Sequence, residues 1–160
     1  MGPDDLDAIA ARISMRLIEQ GATLSVCESS AGGLISATLL AVPGASRFFI
    51  GGLVVYTVTA REALLGITPA DMEGLRPATE ACAELLAGRC RERLGTVWSV
   101  AETGATGPTG NRYGDPAGHA CIAVSGPRSR SATLSTGSAD RADNMRAFAR
   151  AALLLLDESV

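Results

Sequence analysis

Lysine is absent from this 160-residue chain, and all 14 basic side chains are Arg. A Walker A loop, a Schiff base and a Ser–Lys dyad are thereby excluded. Histidine is nearly as scarce. A Ser–His–Asp triad would have to use His119, the one His, with Ser29, Ser30 or Ser46 as nucleophile, and no G-x-S-x-G elbow supports it. Aromatic residues are 4% of the chain, too few for a base-stacking platform. The net charge is −3, and the arginines are scattered apart from Arg89, Arg91 and Arg93. No basic face tracks a phosphate backbone, so nucleic acid is not an expected partner. None of Cys27, Cys82, Cys90 and Cys121 forms a C-x-x-C pair, so neither a zinc site nor any other metal or cofactor is expected. No apolar run approaches the ~20 residues of a membrane span. The acidic opening, Met1 to Leu6, lacks a signal-peptide apolar region. Cys27 and Cys121 lie in apolar, strand-like runs and read as reduced core residues, which fits a cytoplasmic location.

What is present is an apolar fraction of 47% and 18 glycines, the composition of a single packed domain over residues 1–160. Asp5 to Gln20 places Leu6, Ile9, Ile13 and Leu17 on one helical face, and Gly21 ends it. Thr23 to Cys27 reads as a short buried strand, Ser29 to Gly33 as a turn, and Leu34 to Val42 as a helix broken by Pro43 and Gly44. Phe48 to Tyr56 is β-rich, with Gly51 and Gly52 positioned to kink it. Thr59 to Leu65 is a short helix closed by Gly66. A longer helix runs to about Leu94 with Thr79 as N-cap. Thr96 to Ala101, His119 to Ser125 and Ser131 to Thr136 read as strands, with a long loop from Thr103 to Gly118. Asp140 to Leu156 is a closing helix with Met145, Phe148, Ala152 and Leu155 inward. The alternation predicts a three-layer α/β/α sandwich, and the adjacent late strands predict a mixed sheet.

Three loops carry chemistry-bearing residues. In Cys27-Glu28-Ser29-Ser30-Ala31-Gly32-Gly33, a strand delivers hydroxyls and glycines to the start of a helix, whose free N–H groups suit a phosphate; a tight turn with a serine cap fits the same residues. Glu28 could orient a substrate amine or cap the local backbone, and the sequence does not choose. Pro43-Gly44-Ala45-Ser46 fits ordinary turn chemistry as well as function. In Thr103-Gly104-Ala105-Thr106-Gly107-Pro108-Thr109-Gly110, repeated Gly and Thr let a backbone curl around a ligand. Tyr56 reads as a core-edge residue with a wet hydroxyl, and Arg61 as either a surface charge or a ligand contact.

Together these loops resemble the CinA C-terminal domain family, the competence/damage-inducible proteins that include nicotinamide-nucleotide amidohydrolases. The family stretch A-E-S-C-T-G-G corresponds to Cys27 to Gly33, and P-G-x-S to Pro43, Gly44 and Ser46. G-x-V-x-Y-x-N-x-A-K…L-G-V corresponds to Gly52, Val54, Tyr56, Val58, Ala60, Arg61 and Leu65-Gly66-Ile67. G-x-A-G-P-x-G…P-x-G corresponds to Gly104, Gly107, Pro108, Gly110, Pro116 and Gly118. The resemblance implies conversion of nicotinamide mononucleotide to nicotinate mononucleotide and ammonia, a small phosphorylated ligand, and a homodimer. It implies Ser46 as nucleophile, aided by Tyr56 and by the residue at the position of Arg61. The implied substrate-binding set is Glu28, Ser29, Ser30, Gly32, Gly33, Gly44, Gly104, Thr106, Gly107 and Gly110.

The chain departs from that pattern at four polar positions. Arg61 replaces the family's lysine, Ala31 and Leu40 its threonines, and Val58 its asparagine. A buried lysine can be tuned to a pKa of about 7–8 and accept a proton. Arg stays protonated below about pH 12, so its use as a base near neutrality would cost roughly 7 kcal/mol, on the order of 10⁵-fold in rate. Its planar fork still suits phosphate or oxyanion recognition. Three readings follow: an amidohydrolase that works without the lysine, a catalytically silent nucleotide-binding domain, or an amidase or esterase with a different substrate, since Ala31, Leu40 and Val58 make the pocket more apolar.

Overall fold

Among the described residues, five strands form one mixed sheet in the order β2-β1-β3-β4-β5. They are β1 (Leu24–Glu28), β2 (Phe49–Val54), β3 (Trp98–Ala105), β4 (His119–Ser125) and β5 (Arg130–Ser135). β1 pairs in parallel with β2 and β3, whereas β3–β4 and β4–β5 are antiparallel. The structure is a computed structural model that describes residue 2 and residues 5–160. Met1, Pro3 and Asp4 of the acidic opening lie outside the described residues.

Strand periodicity sorts the interior into two cores, because successive side chains point to opposite faces. Leu24 and Val26, Trp98 and Val100, and Ile122 and Val124 face one core with helices α1 (Leu6–Gln20), α2 (Leu34–Leu40) and α5 (Arg141–Ser159). Cys27, Ala101, Cys121 and Ala123 face the other, against Cys82, Ala83, Leu86, Ala87 and Cys90 of α4 (Glu80–Leu94). α3 (Val58–Leu65) packs on α4 and contributes Leu65. The result is the three-layer α/β/α sandwich with a mixed sheet. All four cysteines are free and buried; burial pushes the Cys27, Cys82, Cys90 and Cys121 thiols up, so they behave as small apolar residues.

Local chemistry explains most boundaries. Gly21, Gly66 and Gly95 close α1, α3 and α4 in the left-handed conformation that a C-terminal glycine adopts without strain. The Thr79 hydroxyl accepts from Cys82 N and caps α4, as the sequence predicts. In β2 the register skips Ile50, so Leu24 faces Phe49 while Ser25 faces Gly51; the irregularity falls beside the glycine pair expected to kink it.

Two expectations need correction. β3 continues through Glu102, Thr103 and Gly104 to Ala105, so the loop expected from Thr103 begins at Thr106. Pairing with β4 out to His119 supplies the ladder that a Gly/Thr-rich composition does not advertise. In α5, Met145 and Leu155 are only half-buried. Phe148, Ala149, Ala152, Leu153 and Leu156 fill the interior, because the helix lies across the sheet one position rotated from the expected stripe. No helix among the described residues is long and apolar enough to cross a membrane.

Candidate active site

The connections after β1 and β2 leave the sheet on opposite faces: β1 leads to α2 beside α1 and α5, and β2 leads to α3 beside α4. A crevice at the carboxyl ends of parallel strands is where such sheets hold ligands. A cavity of about 430 Å³ opens there. Ser29 follows β1, and Tyr56, Thr57, Val58 and Arg61 follow β2. Thr103 and Gly104 come from β3, with Pro77 and Ala78 before α4 and Asn111, Arg112 and Tyr113 from the loop before β4. The lining holds two guanidinium groups and no carboxylate, so it favours an anionic ligand.

The walls are held by specific bonds. Ala78 adopts φ +58, a left-handed conformation that strains a residue with a Cβ. Its N–H donates to Thr103 Oγ1 at 3.2 Å, and its carbonyl lies 2.7 Å from His119 Nε2. Arg76 and Arg112 approach the Tyr113 ring with their guanidinium carbons 5.4 and 5.1 Å from its centroid. Arg76 Nη1 also donates to Asp115 Oδ2 at 2.6 Å, and this bond is the main cause that pulls the Asp115 carboxyl down to about 2. Tyr56 is 61% exposed, more than a core-edge residue, and its hydroxyl accepts from Arg141 Nη2 at 3.1 Å. Arg141 also donates from Nη1 to the Gly107 carbonyl at 2.6 Å, tying α5 to the loop after β3.

Of the expected site residues, Ser29, Tyr56, Arg61 and Gly104 line this cavity. Ser46 does not. It is exposed in a single 3₁₀ turn, Ala45–Arg47, that enters the amino end of β2, whereas Tyr56 and Arg61 follow its carboxyl end. Six strand residues separate the two ends, about 20 Å at ~3.3 Å per residue. Gly44 caps the same remote turn with φ +85. Within this chain, the structure therefore does not bring Ser46 and Gly44 to the cavity that Ser29, Tyr56 and Arg61 line.

The phosphate cradle expected at the start of α2 is also corrected. Glu28 is fully buried, and its carboxylate already accepts from the N–H groups of Gly33, Ile35 and Ser36 at 3.1, 2.8 and 2.9 Å. An internal anion thus occupies the helix end that would draw an external one. Of the alternatives open for Glu28, the structure selects backbone capping. The hydroxyl of Ser30, itself buried, donates to Glu102 Oε1. Gly32 and Gly33 supply positive φ, at +68 and +104, for the turn. Thr106 and Gly107 serve α5, since Asn144 Nδ2 donates to the Thr106 carbonyl at 2.9 Å. Gly110 permits a tight return, because a Cβ there would lie 2.1 Å from the Asp115 carbonyl oxygen.

Sequence reasoning missed Arg112, Tyr113, Ala78 and Glu102. A cation–aromatic pair inside a Gly-rich loop is a usable signal for Arg112 and Tyr113. A carboxylate between Ala101 and Thr103 in an apolar strand is one for Glu102. The left-handed Ala78 has no sequence signature.

The structure thus defines a mixed-sheet α/β/α domain with a cation-lined cavity at the carboxyl edge of its parallel strands. The CinA C-terminal domain model matches residues 6–160, and the chain belongs to that family. A CinA-like protein of Myxococcus xanthus is 40% identical over 123 residues, which are 77% of this chain and 29% of that protein. One from Trichormus variabilis is 36% identical over 121 residues, 76% of this chain and 29% of that protein. The chain thus matches under a third of the length of these relatives. Among solved structures, a competence-damaged protein (CinA) superfamily protein from Escherichia coli aligns with TM-score 0.91 and 27% identity, covering 99% of this chain and 92% of that one. The competence/damage inducible protein CihA from Agrobacterium tumefaciens aligns with TM-score 0.88 and 27% identity, covering 98% and 96%.

Proposed function

We propose that this domain hydrolyses the carboxamide of a pyridine mononucleotide of the nicotinamide mononucleotide class, with Ser29 in place of Ser46 as nucleophile. One observation carries the reading: Ser29, Tyr56 and Arg61 converge on one cavity whose lining bears two guanidinium groups and no carboxylate. Its volume of about 430 Å³ lies within the roughly 300–1,000 Å³ of small-molecule sites.

The Ser29 oxygen attacks the amide carbon. Tyr56 takes the serine proton as its own passes to the departing nitrogen, so ammonia leaves and an acyl-serine forms. Water then hydrolyses that ester to the pyridine carboxylate and restores the serine. Arg61 cannot serve as the base, so its part is electrostatic, on the oxyanion or on the ligand phosphate. Arg112 supplies the second positive charge.

A silent nucleotide-binding domain is the second reading, favoured by the lack of any lysine, histidine or carboxylate in the lining. Two measurements separate them: ammonia release from nicotinamide mononucleotide by wild type and Ser29→Ala, and calorimetry with the same nucleotide. Release by wild type alone supports the hydrolase. Binding with no release above the Ser29→Ala level supports the silent domain, and absence of both overturns the two readings together.

A further inference from the structure

Glu102 is fully buried among the residues of β3 yet takes no part in the cavity lining. It shares the Trp98–Val100 face of its strand, turned toward α2, whereas Thr103 faces α4 and the cavity. Its Oε2 accepts from the N–H groups of Ser29 at 3.1 Å and Ala31 at 2.8 Å, and its Oε1 accepts from the Ser30 hydroxyl. The Ser29 N–H is shared with the Glu102 backbone carbonyl, also at 3.1 Å. Three consecutive residues of one turn are thus tied to a single side chain, whose own strand continues directly into Thr103 and Gly104 of the cavity wall.

A single side chain that spans three consecutive donors ties this turn to β3 by its reach and its paired acceptors, which a shorter side chain or a lone water cannot match. We infer that Glu102 is a positioning residue. It fixes the turn after β1 against β3, so that Ser29 and Thr103 are presented to a ligand at a set separation. This rests on the reading of Ser29 as nucleophile given above.

The acceptor geometry makes a sharp distinction between two conservative variants. In Glu102→Gln the amide oxygen can receive the Ser29 and Ala31 N–H groups while its NH₂ donates to the Ser30 oxygen, so the turn is kept without the charge. Glu102→Asp keeps the charge but is one carbon shorter, about 1.5 Å, and cannot span the three donors.

The test introduces a thiol by Ser29→Cys in the full chain and measures its alkylation by iodoacetamide; the native cysteines are all buried. Ser46→Cys, on the remote turn, is the control. Adding Glu102→Gln to Ser29→Cys should leave the alkylation rate within about twofold of its parent, because the amide can keep all three bonds to the turn. Adding Glu102→Asp should change that rate at least about fivefold in either direction, the scale of an ångström-sized displacement, with the Ser46→Cys control unmoved. In chains that retain Ser29, Glu102→Asp should lower kcat by about a hundredfold with KM kept, and Glu102→Gln should rescue it. An unchanged alkylation rate when Glu102→Asp joins Ser29→Cys, or equal disturbance by both Glu102 substitutions, overturns the inference. So does an altered alkylation rate accompanied by normal kcat. The alkylation arm needs no turnover, so it decides the role of Glu102 even if the hydrolase reading fails.

Discussion

The turn after β1 and the turn before β2 contain nearly the same residue types, small, hydroxylated and glycine-rich, yet they meet opposite fates. In Ser29 to Gly33, two buried carboxylates receive the backbone donors of Ser29, Ala31, Gly33, Ile35 and Ser36. In Pro43 to Ser46, Pro43, Gly44 and Ser46 are exposed and no side chain caps the 3₁₀ turn. One turn is held rigidly at the edge where the parallel strands end, and the other sits where β2 begins. The lesson is that residue type proposes a catalytic turn, but strand direction decides which turn faces the cavity.

The largest expected effect tests that contrast directly. Ser29→Ala should reduce ammonia release by about 10³-fold or more, as loss of a nucleophile does. Ser46→Ala should leave it within about twofold, as for an uncoupled position. Equal losses in both would erase the distinction between the turns.

Stability sharpens it next. Glu28→Ala removes the acceptor of the N–H groups of Gly33, Ile35 and Ser36, of which Ile35 is fully buried, and should cost about 3 kcal/mol by urea titration. Ser46→Gly, on the exposed turn, should cost less than about 0.5 kcal/mol. Between these extremes lies Gly104→Ala. Its Cβ would lie 2.6 Å from the His119 carbonyl oxygen and 2.8 Å from the Ala120 Cβ, an overpacking worth about 1–3 kcal/mol. It would also crowd the cavity wall.

The smallest effect is one of pH. Desolvation, outweighing the bonds from Ser30, Ala31 and Ser29, pushes the Glu102 carboxyl above its ordinary 4.5. A raised folded value means that its contribution to stability is full below about that ordinary value and is lost as pH rises through the raised one. Glu102→Gln cannot ionise, so its thermal midpoint should gain on wild type at pH 7 and not at pH 4. The opposite trend would show a carboxylate stabilised by its donors beyond its desolvation cost. Asp115, near the far wall, has the reverse sign: its support is present above about 3.8 and is lost as pH falls through about 2.

Most of the fold was legible in the sequence because local signals and tertiary demands agree. Ile9, Ile13 and Leu17 recur at helical spacing and are fully buried, and Gly66 and Thr79 mark ends that the backbone respects. The site was less legible. Tyr56 and Arg61 reach the cavity as expected, but nothing along the chain separates the edge at which Ser29 emerges from the edge at which Ser46 enters, since that depends on how β2 aligns with β1. The role of Glu28 was likewise hidden, because a capping carboxylate and a substrate-facing one look alike until the partners of its oxygens are known.

The neutralised start of α2 has a consequence for how a ligand arrives. With Glu28 already seated there, the pull on an incoming anion comes from Arg61 and Arg112, and Arg112 is exposed at the rim. Charges so placed are shielded within about 8 Å at physiological ionic strength. Capture should therefore be fast in dilute buffer and slow as salt is added, while the rate of escape stays nearly constant.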